Sequence, residues 1–273
     1  MTTARQNYLR HGYRRIGGWL FPYSAQFIDT LIDLQLEAGV EGAVGEIGVH
    51  HGKLFLLLAL GRRPGEAAFA IDVFDDQHLN TDASGAGDRA VFLANARHWL
   101  GDAATQLDVI QRSSLEVEPD EVLKRNGPVR ILSIDGGHTE DCVINDLELA
   151  RALLASKGVV ILDDHFNEFW PGVSSGVGRY LQGPRAELRP FAITPNKTYF
   201  AQAEEIGFYR QRLRQMAGYY YEKSASFYGS ELDIYGTQSY TFSLKKRVIE
   251  SIRNTPLEPW ARMAHALGRR LAR

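Results

Sequence analysis

Five residues near the middle of the chain could share one piece of chemistry: Asp135, His138, Asp163, Asp164 and His165. They follow two short apolar runs rich in β-preferring residues, 129–134 and 159–162. Between the runs, Val143, Leu147, Ala150, Leu153 and Leu154 recur at the three- and four-residue steps of a buried helix face. Gly158 is expected to stop that helix. Two parallel strands joined by a helix deliver both carboxyl ends to one edge of a sheet, where α/β proteins bind ligands. Carboxylates and imidazoles crowded there repel one another unless a proton or cation sits among them, and a hard divalent ion such as Mg²⁺ prefers oxygen ligands. A single Asp after a strand often only caps the next turn. The acidic pair Asp163-Asp164 after a second buried strand must be paired or bind something.

A second stretch, 42–60 (GAVGEIGVHHGKLFLLLAL), reads as an apolar strand, a turn at Glu46–Gly52 and an apolar helix from Lys53. Glycines at such a turn let a ligand approach the backbone, and the helix start offers free N–H groups. A pyrophosphate loop would read G-x-G-x-x-G. Here the pattern is E-x-G-x-x-x-G, formed by Glu46, Gly48 and Gly52, with an acid where a phosphate would be repelled. That acid suits a cationic ligand such as the ammonium group of S-adenosylmethionine. The next strand ends at Asp72, about 20 residues beyond the turn, where an acid takes ribose hydroxyls in nucleoside-binding α/β folds. The polar segment 74–88 (FDDQHLNTDASGAGD) is too hydrophilic for core and has the composition of a lid or substrate-binding loop. A helix over 89–100, a strand over 107–111 and a turn at Arg112-Ser113-Ser114 follow. His50, His51, His78 and His98 show no ligand-like pairing.

The elements that must position these residues fit an ordinary globular chain. Its 273 residues, 44% hydrophobic and 23% charged, can bury one large α/β core with additions. A net charge of -2 argues against a general nucleic-acid binder, whose footprint would be basic. The single cysteine, Cys142, excludes an intramolecular disulfide and fits a reducing compartment. No early segment reads as a secretory leader, and the longest apolar run is too short to cross a bilayer, so a cytoplasmic location is expected. Residues 1–20 read as a loosely ordered arm, followed by a helix with Ser24 as its cap and Gly39 at its end. Beyond Glu204 the chain is crowded with Tyr, Phe, Arg and Lys, which favours helical or oligomer contacts, and a basic amphipathic helix is expected over 260–271.

The order of acidic glycine loop, ribose acid, Asp after the fourth strand and Asp-Asp after the fifth resembles a class I S-adenosylmethionine-dependent methyltransferase. More narrowly, residues 40–200 resemble the metal-dependent macrocin and mycinamicin type of sugar O-methyltransferase. The resemblance implies a doubly wound, mostly parallel seven-stranded sheet with an N-terminal arm (1–39), a methyltransferase domain (40–203) and a C-terminal helical tail (204–273). It implies that Glu46, Gly48 and Gly52 hold the methionine end of S-adenosylmethionine, that Asp72 holds its ribose, and that Ser113 and Asp135 border it. Asp135, Asp163 and Asp164 match the metal-binding acids, with Mg²⁺ or another divalent cation as their ion. His138 matches a histidine general base; Gly137 stands where some relatives carry an acid, so His165 stays open as the base. The expected partner is a small hydroxyl acceptor, a sugar or glycosylated molecule, with no nucleic acid, no membrane contact and room for a homo-oligomer. A non-catalytic cofactor-binding or assembly protein is the alternative, and an NAD-type oxidoreductase is disfavoured by the missing G-x-G-x-x-G.

Overall fold

The computed structural model describes residues 3–236, and the expected helix over 260–271 lies outside them. The arm is not loose. After α1 (Ala4–Asn7) a π-helical turn, Tyr8–Gly12, and a 3₁₀ turn, Tyr13–Arg15, bury Tyr8, Tyr13 and Ile16. The Tyr8 hydroxyl donates to the Lys53 carbonyl at 2.6 Å, and its ring meets Trp99 edge-on at 4.9 Å. Tyr8 and Tyr13 of the arm thus pack as core, and Arg5 pairs with Asp29 at 2.8 Å. In α2 (Pro22–Glu37) Pro22 opens the helix. Ser24 is no cap: it is buried, bonding Thr194 Oγ1 at 3.0 Å and the Pro195 carbonyl at 2.6 Å.

The chain continues as β1 (Ala43–Ile47), α3 (Phe55–Leu60), β2 (Ala68–Asp72), α4 (Arg89–Leu100), β3 (Asp108–Gln111) and α5 (Pro119–Asn126). Next come β4 (Val129–Ile134), α6 (Glu140–Leu153), β5 (Leu154–Asp163), α7 (Pro171–Gln182), β6 (Leu188–Thr194) and β7 (Lys197–Gln202). The last described elements are α8 (Ile206–Met216), β8 (Tyr221–Phe227) and β9 (Ser230–Tyr235). Among the described residues the sheet has nine strands, ordered β3-β2-β1-β4-β5-β7-β6-β9-β8. From β3 to β5 all pairings are parallel, and β7 runs antiparallel between β5 and β6.

Two expectations are corrected. The described part of the C-terminal extension is α-helical only in α8; β8 and β9 then form a hairpin that widens the sheet from seven strands to nine. The two residues at its tip, Tyr228 and Gly229, both have positive φ, the geometry of a tight hairpin turn. Nor does Gly158 end α6, which stops at Leu153. Gly158 lies in an irregular start of β5 instead, where a Cβ would come within 2.8 Å of the Val129 carbonyl oxygen.

Alternation along the strands sorts side chains to two faces. Val44, Ala70, Ile131 and Ile161 join the core under α2 and α3, with Leu213 of α8. Ile47, Ile71, Leu132 and Leu162 join the core under α6 and α7. The register pairs Ile47 with both Ile71 and Ile134, and Ile134 with Leu162. The residues that follow, Gly48, Asp72, Asp135 and Asp163, therefore emerge in one row at the carboxyl edge. There β1 sits between β2 and β4, the topological switch point where such sheets bind ligands.

Candidate active site

A cavity of about 790 Å³ opens at that edge. Its wall includes Glu46–His50, Asp72, the polar loop from Gln77 to Gly87, Ser113, Asp135–His138, Asp163, Asp164 and Asn196. Gly48 is required where it stands: its φ is +79°, and a Cβ would lie 1.8 Å from the Asp135 carbonyl oxygen. Gly52, at φ +88°, closes the turn with an N–H bond to the Val49 carbonyl.

Glu46 is buried, its Oε2 has no hydrogen-bond partner, and burial pushes its carboxyl up to about 8 despite the attraction of Lys197. A buried carboxylate with an unused oxygen on a cavity wall is the complement of a cationic ligand. Asp72 lines the same wall, and its two oxygens accept the backbone N–H groups of His50 at 2.7 Å and Phe74 at 2.6 Å. It therefore shapes the glycine turn as well as facing the cavity. Ser113 lines the wall and turns its hydroxyl to the Leu115 N–H at 3.3 Å.

Deeper in, Asp135, His138 and Asp164 bring one ligand atom each to within 4.8 Å of one another. The Nε2 atom of His138 is 3.1 Å from Asp164 Oδ2 and 3.9 Å from Asp135 Oδ1. Asp164 reaches this position through a left-handed backbone turn, φ +57°, which an Asp tolerates and which points it away from Asp163. Asn167 and Asn196 donate to its other oxygen. Burial and the neighbouring Asp163 carboxyl raise the Asp135 pKa well above the ordinary carboxylate range. Burial works against a charge on the His138 ring, yet the Asp164 and Asp82 carboxylates outweigh it and raise its pKa. Such a set of crowded acids and an imidazole fits a hard divalent cation, which would relieve the repulsion.

Of the expected residues the structure sets His165 apart, while Asp163 stays on the cavity wall beside Asp135 and has further partners of its own. Asp163 Oδ2 is paired with Lys197 Nζ at 2.6 Å, and its Oδ1 accepts from Asn196 and from the Asp164 N–H. Its charge is balanced by a lysine that the spacing of the acids did not reveal. His165 is buried, holds Thr198 Oγ1 through Nδ1 at 2.9 Å, and is absent from the cavity wall; burial lowers its pKa to about 4. The next residue after Asp164 has turned into the core, so His165 is set apart from the acids it follows in sequence.

Other residues of the site were not singled out by sequence. Asp82 bonds His138, Trp170 stacks on its ring at 4.3 Å, and Asn196 spans Asp163 and Asp164. Only the polar composition of 74–88 hinted at the first of these. The arm contributes Gly17–Trp19 and Phe21 to the cavity. Around its mouth stand Trp19, Phe21, Phe166 and Phe169, which are 76%, 54%, 55% and 77% exposed.

The methyltransferase domain family matches residues 46–165, from the Glu46 loop to His165, just past the Asp163-Asp164 pair. This segment is a methyltransferase domain. The expected resemblance to class I methyltransferases is thereby borne out, and the chain is read as an enzyme. No curated protein matches the chain by sequence. Among solved structures, the O-methyltransferase NovP is 16% identical with a TM-score of 0.53, over 66% of this chain and 80% of NovP. Cofactor-bound Rv0187 from MTB is 15% identical with a TM-score of 0.50, over 72% of this chain and 88% of that one. At these identities the methyltransferase domain shares their fold. No described helix is long and apolar enough to cross a membrane.

Proposed function

We propose that this methyltransferase moves the methyl group of S-adenosylmethionine to a hydroxyl of a sugar or glycosylated small molecule, with a divalent cation such as Mg²⁺. The observation that carries this reading is the convergence of Asp135, His138 and Asp164 within one cavity that also holds the Glu46–Gly52 loop. S-adenosylmethionine supplies an electrophilic methyl group, and a divalent cation supplies a Lewis acid that makes an acceptor hydroxyl more acidic.

The chain's own groups do the rest. Glu46 would face the ammonium end of the donor, Gly48 and Gly52 would let it approach the backbone, and Asp72, Ser113 and Asp135 would border its nucleoside. Asp135 and Asp164 would hold the cation, while Asp163 balances Lys197 beside them. A cation held by Asp135 and Asp164 would favour the neutral His138 ring, which would then accept the acceptor's proton at Nε2, a contribution of ~10²–10⁴-fold for a placed base. The aromatic residues at the mouth exclude water and offer faces to the apolar side of a sugar or its aglycone. The name of NovP, an O-methyltransferase, supports hydroxyl transfer.

Calorimetry with S-adenosylhomocysteine, followed by turnover against sugar-containing acceptors with and without Mg²⁺, tests the reading. Binding of the product cofactor and turnover that stops in excess chelator are expected. Full turnover in chelator would remove the metal, and no binding of S-adenosylhomocysteine would remove the donor. The His138→Ala variant should lose kcat by about 10²-fold or more while binding the cofactor normally.

A further inference from the structure

Asp82, on the loop between β2 and α4, touches His138 but holds neither donor, cation nor acceptor in the proposed reaction. One of its oxygens, Oδ2, accepts the His138 backbone N–H at 2.5 Å and lies 2.9 Å from the ring Nδ1. Its other oxygen accepts the Ser84 N–H at 2.9 Å, so the carboxylate is held from its own loop as well. The side chains of Asp82 and His138 are nearly buried, 9% and 10% exposed. Trp170 lies flat against the imidazole, with 18° between the planes, and restricts its rotation.

A neutral imidazole carries one proton, and a carboxylate can only accept. Two carboxylates compete for that proton, Asp82 at Nδ1 and Asp164 at Nε2. They are not equivalent. Asp164 shares its cluster with Asp135, where a cation would repel a proton on Nε2, whereas Asp82 stands on the far side of the ring.

We propose that Asp82 is a positioning residue whose carboxylate holds His138 as the Nδ1–H tautomer and so keeps the Nε2 lone pair facing the acceptor site. The proposal rests on methyl transfer as the activity, with His138 as the base. It adds a residue 56 positions away in sequence, contributed by the loop that also walls the cavity.

The full chain, labelled with ¹⁵N in its histidine rings and with Mg²⁺ present at about pH 9, above the ordinary histidine range, reports the tautomer by long-range ¹H–¹⁵N correlation. A His138→Gln sample identifies the signal among the eight histidines. Intact protein should show the proton on Nδ1. Asp82→Asn should keep it there, because an amide oxygen can accept the same two N–H groups. Asp82→Ala should shift the population towards Nε2–H, and in turnover should lower kcat on the order of 10- to 100-fold with a smaller loss for Asp82→Asn. A proton on Nε2 in the intact protein, a ring that carries both protons, or an unchanged tautomer in Asp82→Ala would overturn the proposal. Should Asp82→Ala fail to fold, the intact protein alone decides. The tautomer is read without turnover, so failure to bind S-adenosylhomocysteine, measured on the same sample, separately marks failure of the methyl-transfer reading.

Discussion

Lys197 Nζ and Asp163 Oδ2 stand 2.6 Å apart with both side chains almost wholly buried, at the base of the cavity that Asp135 and Asp164 line. The pair joins β5 to the antiparallel β7, where the two residues are register partners. Breaking such a pair by removing one partner leaves an uncompensated charge, at a cost of about 3–5 kcal/mol. Asp163→Asn should therefore lower the melting temperature on the order of 10 °C. Asp163→Leu combined with Lys197→Met should recover most of that loss. Thermal denaturation measures both, and an unchanged melting temperature in Asp163→Asn would contradict the pairing.

Asp164 has a different task. Its free oxygen faces His138 and Asp135 rather than a lysine. Asp164→Asn should weaken Mn²⁺ or Mg²⁺ binding by about tenfold or more, with S-adenosylhomocysteine affinity nearly unchanged. Parallel titrations of cation and cofactor check this. Equal cation affinity in the intact protein and the variant would remove Asp164 from the ion's ligands.

Glu46 links cofactor binding to protons. Its ordinary value of 4.5 is raised to about 8 in the fold. The folded chain keeps a proton that the unfolded chain has released, so this group's contribution to stability falls as pH rises from about 4.5 to about 8. An ammonium group beside Oε2 would draw the carboxyl back to its charged form. Binding of S-adenosylhomocysteine near neutral pH should then release about one proton, read from calorimetry in buffers of different ionisation enthalpy. Glu46→Gln should abolish that release and weaken affinity on the order of tenfold to a hundredfold. Binding without proton release would dissociate Glu46 from the ammonium.

His165 gives the opposite pH signature, and its burial away from the cavity wall predicts no part in proton transfer. Its pKa is lowered from 6.5 to about 4 by burial. Below 6.5 the unfolded chain gains a proton that the folded chain refuses, so stability falls as pH drops towards 4. A His165→Gln variant should show less acid sensitivity in its melting temperature and keep kcat within a few-fold of the intact enzyme. Loss of turnover at unchanged stability would return His165 to the chemistry.

Much of the architecture was determined by local pattern. The apolar runs ending at Ile47, Ile71, Ile134 and Leu162, each followed by an acid or a glycine, specify buried parallel strands whose ends carry the site. The glycine spacing in 46–52 specifies a turn that only Gly48 can make against the Asp135 carbonyl. The hairpin of β8 and β9 was hidden because its aromatic residues also suit helix and oligomer contacts, and only pairing with β6 decides between them.

Which of the clustered acids is free was a tertiary matter. Asp163 and Asp164 are neighbours in sequence, yet the left-handed turn at Asp164 sends one to Lys197 and the other to His138. His165 follows them into the core, and Asp82 arrives from a loop whose sequence carries no period or motif. Sequence spacing determines which residue types reach the edge of the sheet. The partners that neutralise, orient or bury each of them come from distant segments, and hydrogen bonds across the fold, unlike hydrophobic periodicity, leave no local trace.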